Sequence, residues 1–156
     1  LRINVTAVGQ RMPDWVRSAC EEYLKRMPRD LPVSLQEVKP ATRSESRPVE
    51  RVLEEERDRL LERIPSGSLV VALDERGSLW TTRELAARIE ASRLEARDLV
   101  FLIGGADGLH ASLKDSGRLQ FSLSRLTLPH ALARVILCEQ LYRAVSLLNN
   151  HPYHRD

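Results

Sequence analysis

Leu1 to Val8 alternates apolar and polar side chains and then meets Gly9, the pattern of a strand that runs into a turn. Pro13-Asp14 opens a helix whose apolar positions recur as Trp15, Val16, Ala19, Cys20, Tyr23 and Leu24, with Pro28 as its stop. Pro32 to Val38 reads as a second strand. Lys39 to Pro48 has no apolar periodicity, and its Ser, Pro, Arg and Thr content predicts a mobile surface loop. Val49 to Ile64 then places Val49, Val52, Leu53, Leu60, Leu61 and Ile64 on one helical face, closed by Pro65-Ser66-Gly67.

The next pattern has a different period. Leu69-Val70-Val71-Ala72-Leu73 is continuously apolar and too short for an independent helix, which suits a parallel strand buried on both faces. Asp74-Glu75-Arg76-Gly77 is expected to turn the chain at its carboxyl end. Thr81 to Glu84 offers a capping box before a helix that buries Leu85, Ala86 and Ile89. Leu99 to Ile103 is a second buried strand, ending in Gly104-Gly105. A short helix is expected around Leu109 to Ser116, then a strand at Phe121 to Ser124. Pro129 suits the first turn of a last helix, roughly His130 to Leu148, whose wide apolar surface predicts packing on two sides, one of them open to a partner subunit.

Strands alternating with helices predict an α/β fold with a mostly parallel sheet and flanking helices. At 156 residues and 42% apolar composition, one domain over 1–156 with one core is expected. No apolar run approaches the roughly 20 residues of a membrane span, and no signal peptide is evident. Cys20 and Cys138 sit far apart on helical patterns, outside any Cys-x-x-Cys pair, and read as reduced core residues of a cytoplasmic protein. The net charge of +2 does not by itself announce nucleic acid. Arginine outnumbers lysine, which suits bidentate phosphate contacts but also mixed-charge helix faces. The Lys39–Pro48 loop is accordingly either a plain connector or an arm touching RNA phosphate through Lys39, Arg43 and Arg47.

Ligands of open α/β sheets sit beyond the carboxyl ends of the strands. Leu73-Asp74, Gly104-Gly105 and Leu123 to Leu128 all meet that rule. Gly104-Gly105-x-x-Gly108 does not match G-x-G-x-x-G, no P-loop sequence exists, and a plain turn remains an alternative. Leu123 to Pro129 interleaves Leu123, Leu126 and Leu128 with Ser124, Arg125 and Thr127, which is too apolar for an exposed loop. Either an adenine ring satisfies its backbone while the leucines cover the ring faces, or the loop is wedged under another segment. The tail offers His151, Tyr153, His154 and Arg155, expected to hang over the pocket or to dock through Tyr153. The tail histidines lack carboxylate or Cys partners at metal-ligand spacing, so no metal is expected.

Leu102-Ile103-Gly104-Gly105, Leu123 to His130, Glu139-Gln140-Leu141-Tyr142-Arg143-Ala144 and Asn150-His151-Pro152-Tyr153-His154-Arg155 resemble the SPOUT-class RNA methyltransferases, as do Val8-Gly9 and Met12 to Trp15. The resemblance implies a C-terminal trefoil knot, a homodimer, and S-adenosylmethionine bound by Leu73, Gly104, Gly105, Leu123, Ser124, Arg125, Leu126, Thr127 and Leu128. It implies that the substrate is a pseudouridine of 23S rRNA in the assembled ribosome, methylated at N3. It places Arg143 and the tail residues Tyr153, His154 and Arg155 near the target base. His154 is then a candidate general base, and Arg143 and Arg155 candidates for holding phosphate or base oxygens, with solvent as the alternative proton acceptor. Two other readings stay open: a SPOUT methyltransferase acting on tRNA, and a ribosome-associated factor that holds a nucleotide without chemistry.

Overall fold

The computed structural model describes residues 1–115 and 119–155. The chain runs β1 (Ile3–Val8), α1 (Asp14–Leu24), β2 (Val33–Val38), α2 (Val49–Leu61), β3 (Leu69–Leu79), α3 (Thr82–Leu94), β4 (Leu99–Ile103), α4 (Ser112–Asp115), β5 (Leu119–Ser122) and α5 (His130–Leu148). The strands form one sheet in the order β2-β1-β4-β3-β5, and every neighbouring pair is parallel. The expected short helix therefore starts later than its apolar residues suggest, and Ser116 and Asp156 lie outside the described residues.

Both sheet faces are covered, which is why the central strands read as unbroken apolar runs. On one face Val5, Phe101 and Val71 pack against Leu85 and Ile89 of α3 and Leu137 and Leu141 of α5. On the other, Val8, Val100, Leu102 and Val70 meet Leu60 of α2 with Leu109 and Leu113. Cys20 and Cys138 are free, buried thiols in the seam between α1 and α5. Helix starts follow local chemistry. Thr81 and Glu84 form the expected capping box, with Glu84 N–H donating to Thr81 Oγ1 at 3.1 Å and Thr81 N–H to Glu84 Oε2 at 2.6 Å. Three further helices begin directly after a proline in extended backbone, at Pro13, Pro48 and Pro129.

Two expectations change. Asp74-Glu75-Arg76-Gly77 is not a terminal turn: β3 continues through it as a bulge, so that Leu73 and Ser78 both face Phe121 of β5. Gly77 makes this possible, because a Cβ there would lie 2.7 Å from the Gln120 backbone. The Lys39–Pro48 loop is pinned rather than loose. Glu56 of α2, 2% exposed, accepts the Ala41 amide at 3.0 Å, and Arg59 Nη1 donates to the Lys39 carbonyl at 2.7 Å. Arg43 and Arg47, candidates for phosphate contact if the loop is an arm and not a plain connector, are engaged with Asp107 and Glu56 and with Glu55 respectively. Lys39 keeps an exposed side chain.

Candidate active site

The carboxyl ends of β3, β4 and β5 open into one cavity of about 840 Å³. Leu73 and Asp74 enter from β3, Gly104 and Gly105 from β4, and Leu123 to Leu128 from the chain after β5, with His130 and Ala133 of α5 closing a side. All the expected cofactor residues line this space except Arg125, which is exposed beside it. Its volume lies within the roughly 300–1,000 Å³ range of small-molecule sites.

The glycine turn is a consequence of space. Gly108 N–H donates to the Gly105 carbonyl at 3.1 Å, and Gly108 takes φ +78°. A Cβ on Gly104 would sit 2.4 Å from the Gly108 carbonyl carbon, so only glycine lets the two stretches of backbone meet. On the opposite wall, Ser122 Oγ donates to the Ser124 carbonyl at 2.8 Å and the Leu126 N–H donates to Ser124 Oγ at 2.9 Å. The other amides of residues 124–128 find no hydrogen-bond partner among the described residues. This run was expected to be buried. In the structure Leu123 and Leu128 are half-buried while Leu126 is 74% exposed. The loop is open because nothing among the described residues covers it. It offers apolar side chains and free amides together, which is what a purine ring with polar edges requires. Charge at the rim comes from Asp74, 3.8 Å from Lys114 Nζ, and from Glu75, which accepts from Thr127 Oγ1 at 3.2 Å.

The tail is elsewhere. The carbonyls at the end of α5 are met by His151 N–H to Ser146 at 2.8 Å and Asn150 N–H to Leu147 at 3.2 Å, with Asn150 at φ +54°. This is a Schellman closure with asparagine in the left-handed position, and it folds the tail back along the helix. The ring centroids of Tyr153 and Tyr142 then lie 4.6 Å apart, and the Arg143 guanidinium sits 4.6 Å above the Tyr153 ring. Glu139 joins the group: its Oε1 accepts from Arg143 Nε at 2.9 Å and from Tyr153 Oη at 3.1 Å. Arg143 Nη1 donates to His154 Nδ1 at 3.3 Å. A guanidinium only donates, so His154 Nδ1 carries the lone pair and the ring proton resides on Nε2. The Glu139 carboxylate holds the Arg143 guanidinium further above its ordinary range. Burial, reinforced by Glu139, raises the Tyr153 phenol. Arg155 is exposed.

Arg143, Tyr153 and His154 thus come together as expected, but not over the pocket of their own chain. The cavity reaches Ala133, and Arg143 lies ten residues further along α5, a separation of about 15 Å at 1.5 Å per residue. Glu139 was not singled out by the sequence as a site residue. Its signal was the Glu139/Arg143 spacing, four apart on one helix face.

Among the described residues the one cluster with metal-ligand proximity is Glu50, Glu54 and His110. His110 Nδ1 accepts the Ser112 amide at 3.1 Å, which leaves the ring proton on Nε2, 2.8 Å from Glu50. Glu54 pairs instead with Arg51 at 3.6 Å, so each member of the cluster already has a hydrogen-bond or ion-pair partner. No helix among the described residues is long and apolar enough to cross a membrane.

The chain matches the family model described as "Predicted SPOUT methyltransferase" over residues 1–154. It is 51% identical over 156 residues to a protein of Dechloromonas aromatica and 48% identical over 155 residues to one of Paraburkholderia xenovorans, both named "Ribosomal RNA large subunit methyltransferase H". The first match covers 100% of this chain and 99% of the relative, the second 99% of each. A solved structure described as a probable methylase family protein from Haemophilus influenzae superposes with a TM-score of 0.59 at 16% identity, covering 99% of this chain and 70% of that one. That likeness bears on the fold.

Proposed function

The chain belongs to the SPOUT methyltransferase family, and we propose that it transfers the methyl group of S-adenosylmethionine to N3 of a pseudouridine in 23S rRNA of the assembled ribosome. The observation that carries the reading is the convergence of the β3 end, the Gly104–Gly108 turn and the 123–128 loop on one cavity, in a chain similar over its whole length to relatives named as large-subunit rRNA methyltransferases. The trefoil knot and a single catalytic domain over 1–156 belong to the same proposal.

The residues present fit the cofactor. Leu123, Leu128 and Leu73 supply apolar cover, and the unpaired amides of residues 124–128 supply donors for ring and ribose edges. When bound, S-adenosylmethionine supplies an electrophilic methyl on a sulfonium, released as the C–S bond breaks and the N3–C bond forms. The protein's part is position and electrostatics. Asp74, Glu75 and Asp107 line the cavity together with Arg76 and Lys114, so its wall offers charge of both signs to a zwitterionic, sulfonium-bearing ligand.

The N3 proton must leave as the bond forms. His154, with Nδ1 held by Arg143, is set up to donate from Nε2 and not to take a proton. In this arrangement Arg143 and His154 stabilise negative charge on the uracil oxygens, and solvent takes the proton. Because Arg143 lies about 15 Å beyond the Ala133 edge of the cavity along α5, each tail serves the cavity of a second copy, and the working form is a homodimer. Leu132 and Ile136 of α5, half-exposed, and the open Leu126 support such a contact.

The test is transfer of radiolabelled methyl to ribosomes, stripped rRNA and tRNA, with sedimentation of the protein alone. Label confined to ribosomes and a dimeric protein are expected. Label on tRNA favours the other SPOUT reading, and cofactor binding without transfer to any RNA favours the non-catalytic factor.

A further inference from the structure

We propose that Arg43 is a positioning residue for the cofactor site: it ties Asp107 in the glycine turn to the buried carboxylate of Glu56 and so holds the turn in its binding shape. The proposal rests on the reading of the cavity as the S-adenosylmethionine site. Arg43 lies on the segment before α2, far in sequence from the turn. Its Nε donates to Asp107 Oδ2 at 2.7 Å, and its Nη2 to Glu56 Oε2 at 3.4 Å. Nη1 donates to the Ala41 carbonyl at 3.4 Å, which closes the segment on itself. The guanidinium also packs over the turn, with Nη2 3.7 Å from where a Cβ of Gly105 would stand.

Glu56 is fixed from below. It is 2% exposed, its Oε2 accepts the Ala41 amide at 3.0 Å, and its Oε1 has no hydrogen-bond partner among the described residues. A buried carboxylate left without a cation is costly, so Arg43 cannot swing to solvent without leaving Glu56 uncompensated. Arg43 therefore transmits the rigidity of α2 to the turn. The turn has little rigidity of its own, being joined among the described residues through the Gly105–Gly108 bridge and carrying a glycine at φ +78°. Asp107 lines the cavity, so a shift at its carboxylate changes the wall directly.

The experiment uses the full chain and four proteins: wild type, Arg43→Gln, Asp107→Asn and the double variant. Calorimetry with S-adenosylmethionine gives the dissociation constant, and hydrogen exchange of the 104–108 amides reports the turn without cofactor. Each single change is expected to weaken binding about tenfold and speed exchange at the turn, and the double change to be no worse than either single one, the sign of a shared interaction. Asp107→Asn lies on an exposed turn and keeps the melting temperature, which separates positioning from folding. Arg51→Gln, on an exposed ion pair of α2, is the control and leaves both readouts unchanged. Additive losses would mean that Asp107 touches the ligand on its own, and unchanged affinity with unchanged exchange would remove Arg43 from the site; either overturns the proposal. A wild-type protein that binds no S-adenosylmethionine would defeat the reading of the cavity instead, and the exchange comparison would still judge the grip of Arg43 on the turn.

Discussion

Tyr153 donates its hydroxyl to Glu139 Oε1 at 3.1 Å, the same oxygen that accepts Arg143 Nε at 2.9 Å. One carboxylate oxygen thus fastens the tail to α5 and orients the guanidinium that holds His154. Glu139→Gln keeps the shape and removes the charge. The expected outcome is a tail that is cut faster by protease and a methyl-transfer rate lowered about a hundredfold, since charge-assisted bonds are roughly twice as strong as neutral ones and two are lost together. Affinity for S-adenosylmethionine should stay within about twofold, because the cavity is lined by the ends of β3, β4 and β5, the 123–128 loop and the start of α5, with neither Glu139 nor the tail among its lining residues. A parallel loss of cofactor affinity in the variant would contradict this division of labour.

The phenol of Tyr153 also sets a pH limit. Burial first, and Glu139 second, raise it above the ordinary phenol value. A group raised on folding contributes stability that is complete below its unfolded pKa, about 10 for tyrosine, and that is lost as pH rises through the folded value. Tail docking should therefore be constant from neutral pH to about 10 and then fail. Ultraviolet difference titration alongside limited proteolysis checks it. Tyr153→Phe should lose the alkaline transition; a transition that persists in that variant belongs to another group.

Glycine positions separate crowding from backbone strain. Gly104→Ala puts a Cβ 2.4 Å from backbone at Gly108, with no flexible side chain to yield. The expected result is a loss of about 1–3 kcal/mol in stability from overpacking, together with loss of cofactor binding. Gly67 has φ +81° and open space around its missing Cβ. Gly67→Ala should cost about 1 kcal/mol from the left-handed backbone alone and leave binding untouched. Thermal melts and calorimetry on the pair decide it, and equal binding defects in both would mean that the turn at Gly104 is not part of the site.

The sequence made the core legible because parallel strands covered on both faces leave continuous apolar runs, as at Leu69–Leu73 and Leu99–Ile103. It also exposed the Thr81–Glu84 cap and the carboxyl-end segments that meet in the cavity. It misled where polarity and exposure part company. Asp74-Glu75-Arg76-Gly77 has the composition of a turn, yet it is a bulge that keeps β3 paired to β5, a fact fixed by the backbone approach at Gly77. Lys39 to Pro48 has the composition of a free loop, yet Glu56 anchors it from inside the protein. A buried glutamate and an exposed one on α2 look alike in a helical pattern. The displacement of the tail from the cavity follows from the asparagine closure at Asn150, whose sense of turn depends on a positive φ that no hydrophobic pattern encodes.

Leu126 stands 74% exposed on the cavity wall, where it contributes little to holding the chain together. Leu126→Ser should change stability by no more than about 0.5 kcal/mol, the usual range for exposed positions. Binding is a different matter if the side chain closes over a ring. Covering a leucine is worth about 1.5–3 kcal/mol, so affinity for S-adenosylmethionine should fall at least fivefold. A drop in melting temperature with no change in affinity would reverse the assignment, making Leu126 a structural contact and not a cover for the ligand.

The bond from Arg143 Nη1 to His154 Nδ1 decides between two roles for the imidazole. As a base, His154 would need a lone pair that Arg143 already holds. As a donor it needs only its Nε2 proton, and a glutamine amide can offer the same kind of hydrogen. His154→Gln is therefore expected to keep the rate within about tenfold of wild type, while His154→Ala, leaving developing charge without a donor, loses about a hundredfold or more, the size of one missing oxyanion donor. If the glutamine variant is as inactive as the alanine one, the proton on N3 leaves through His154, and the pairing with Arg143 must open before chemistry.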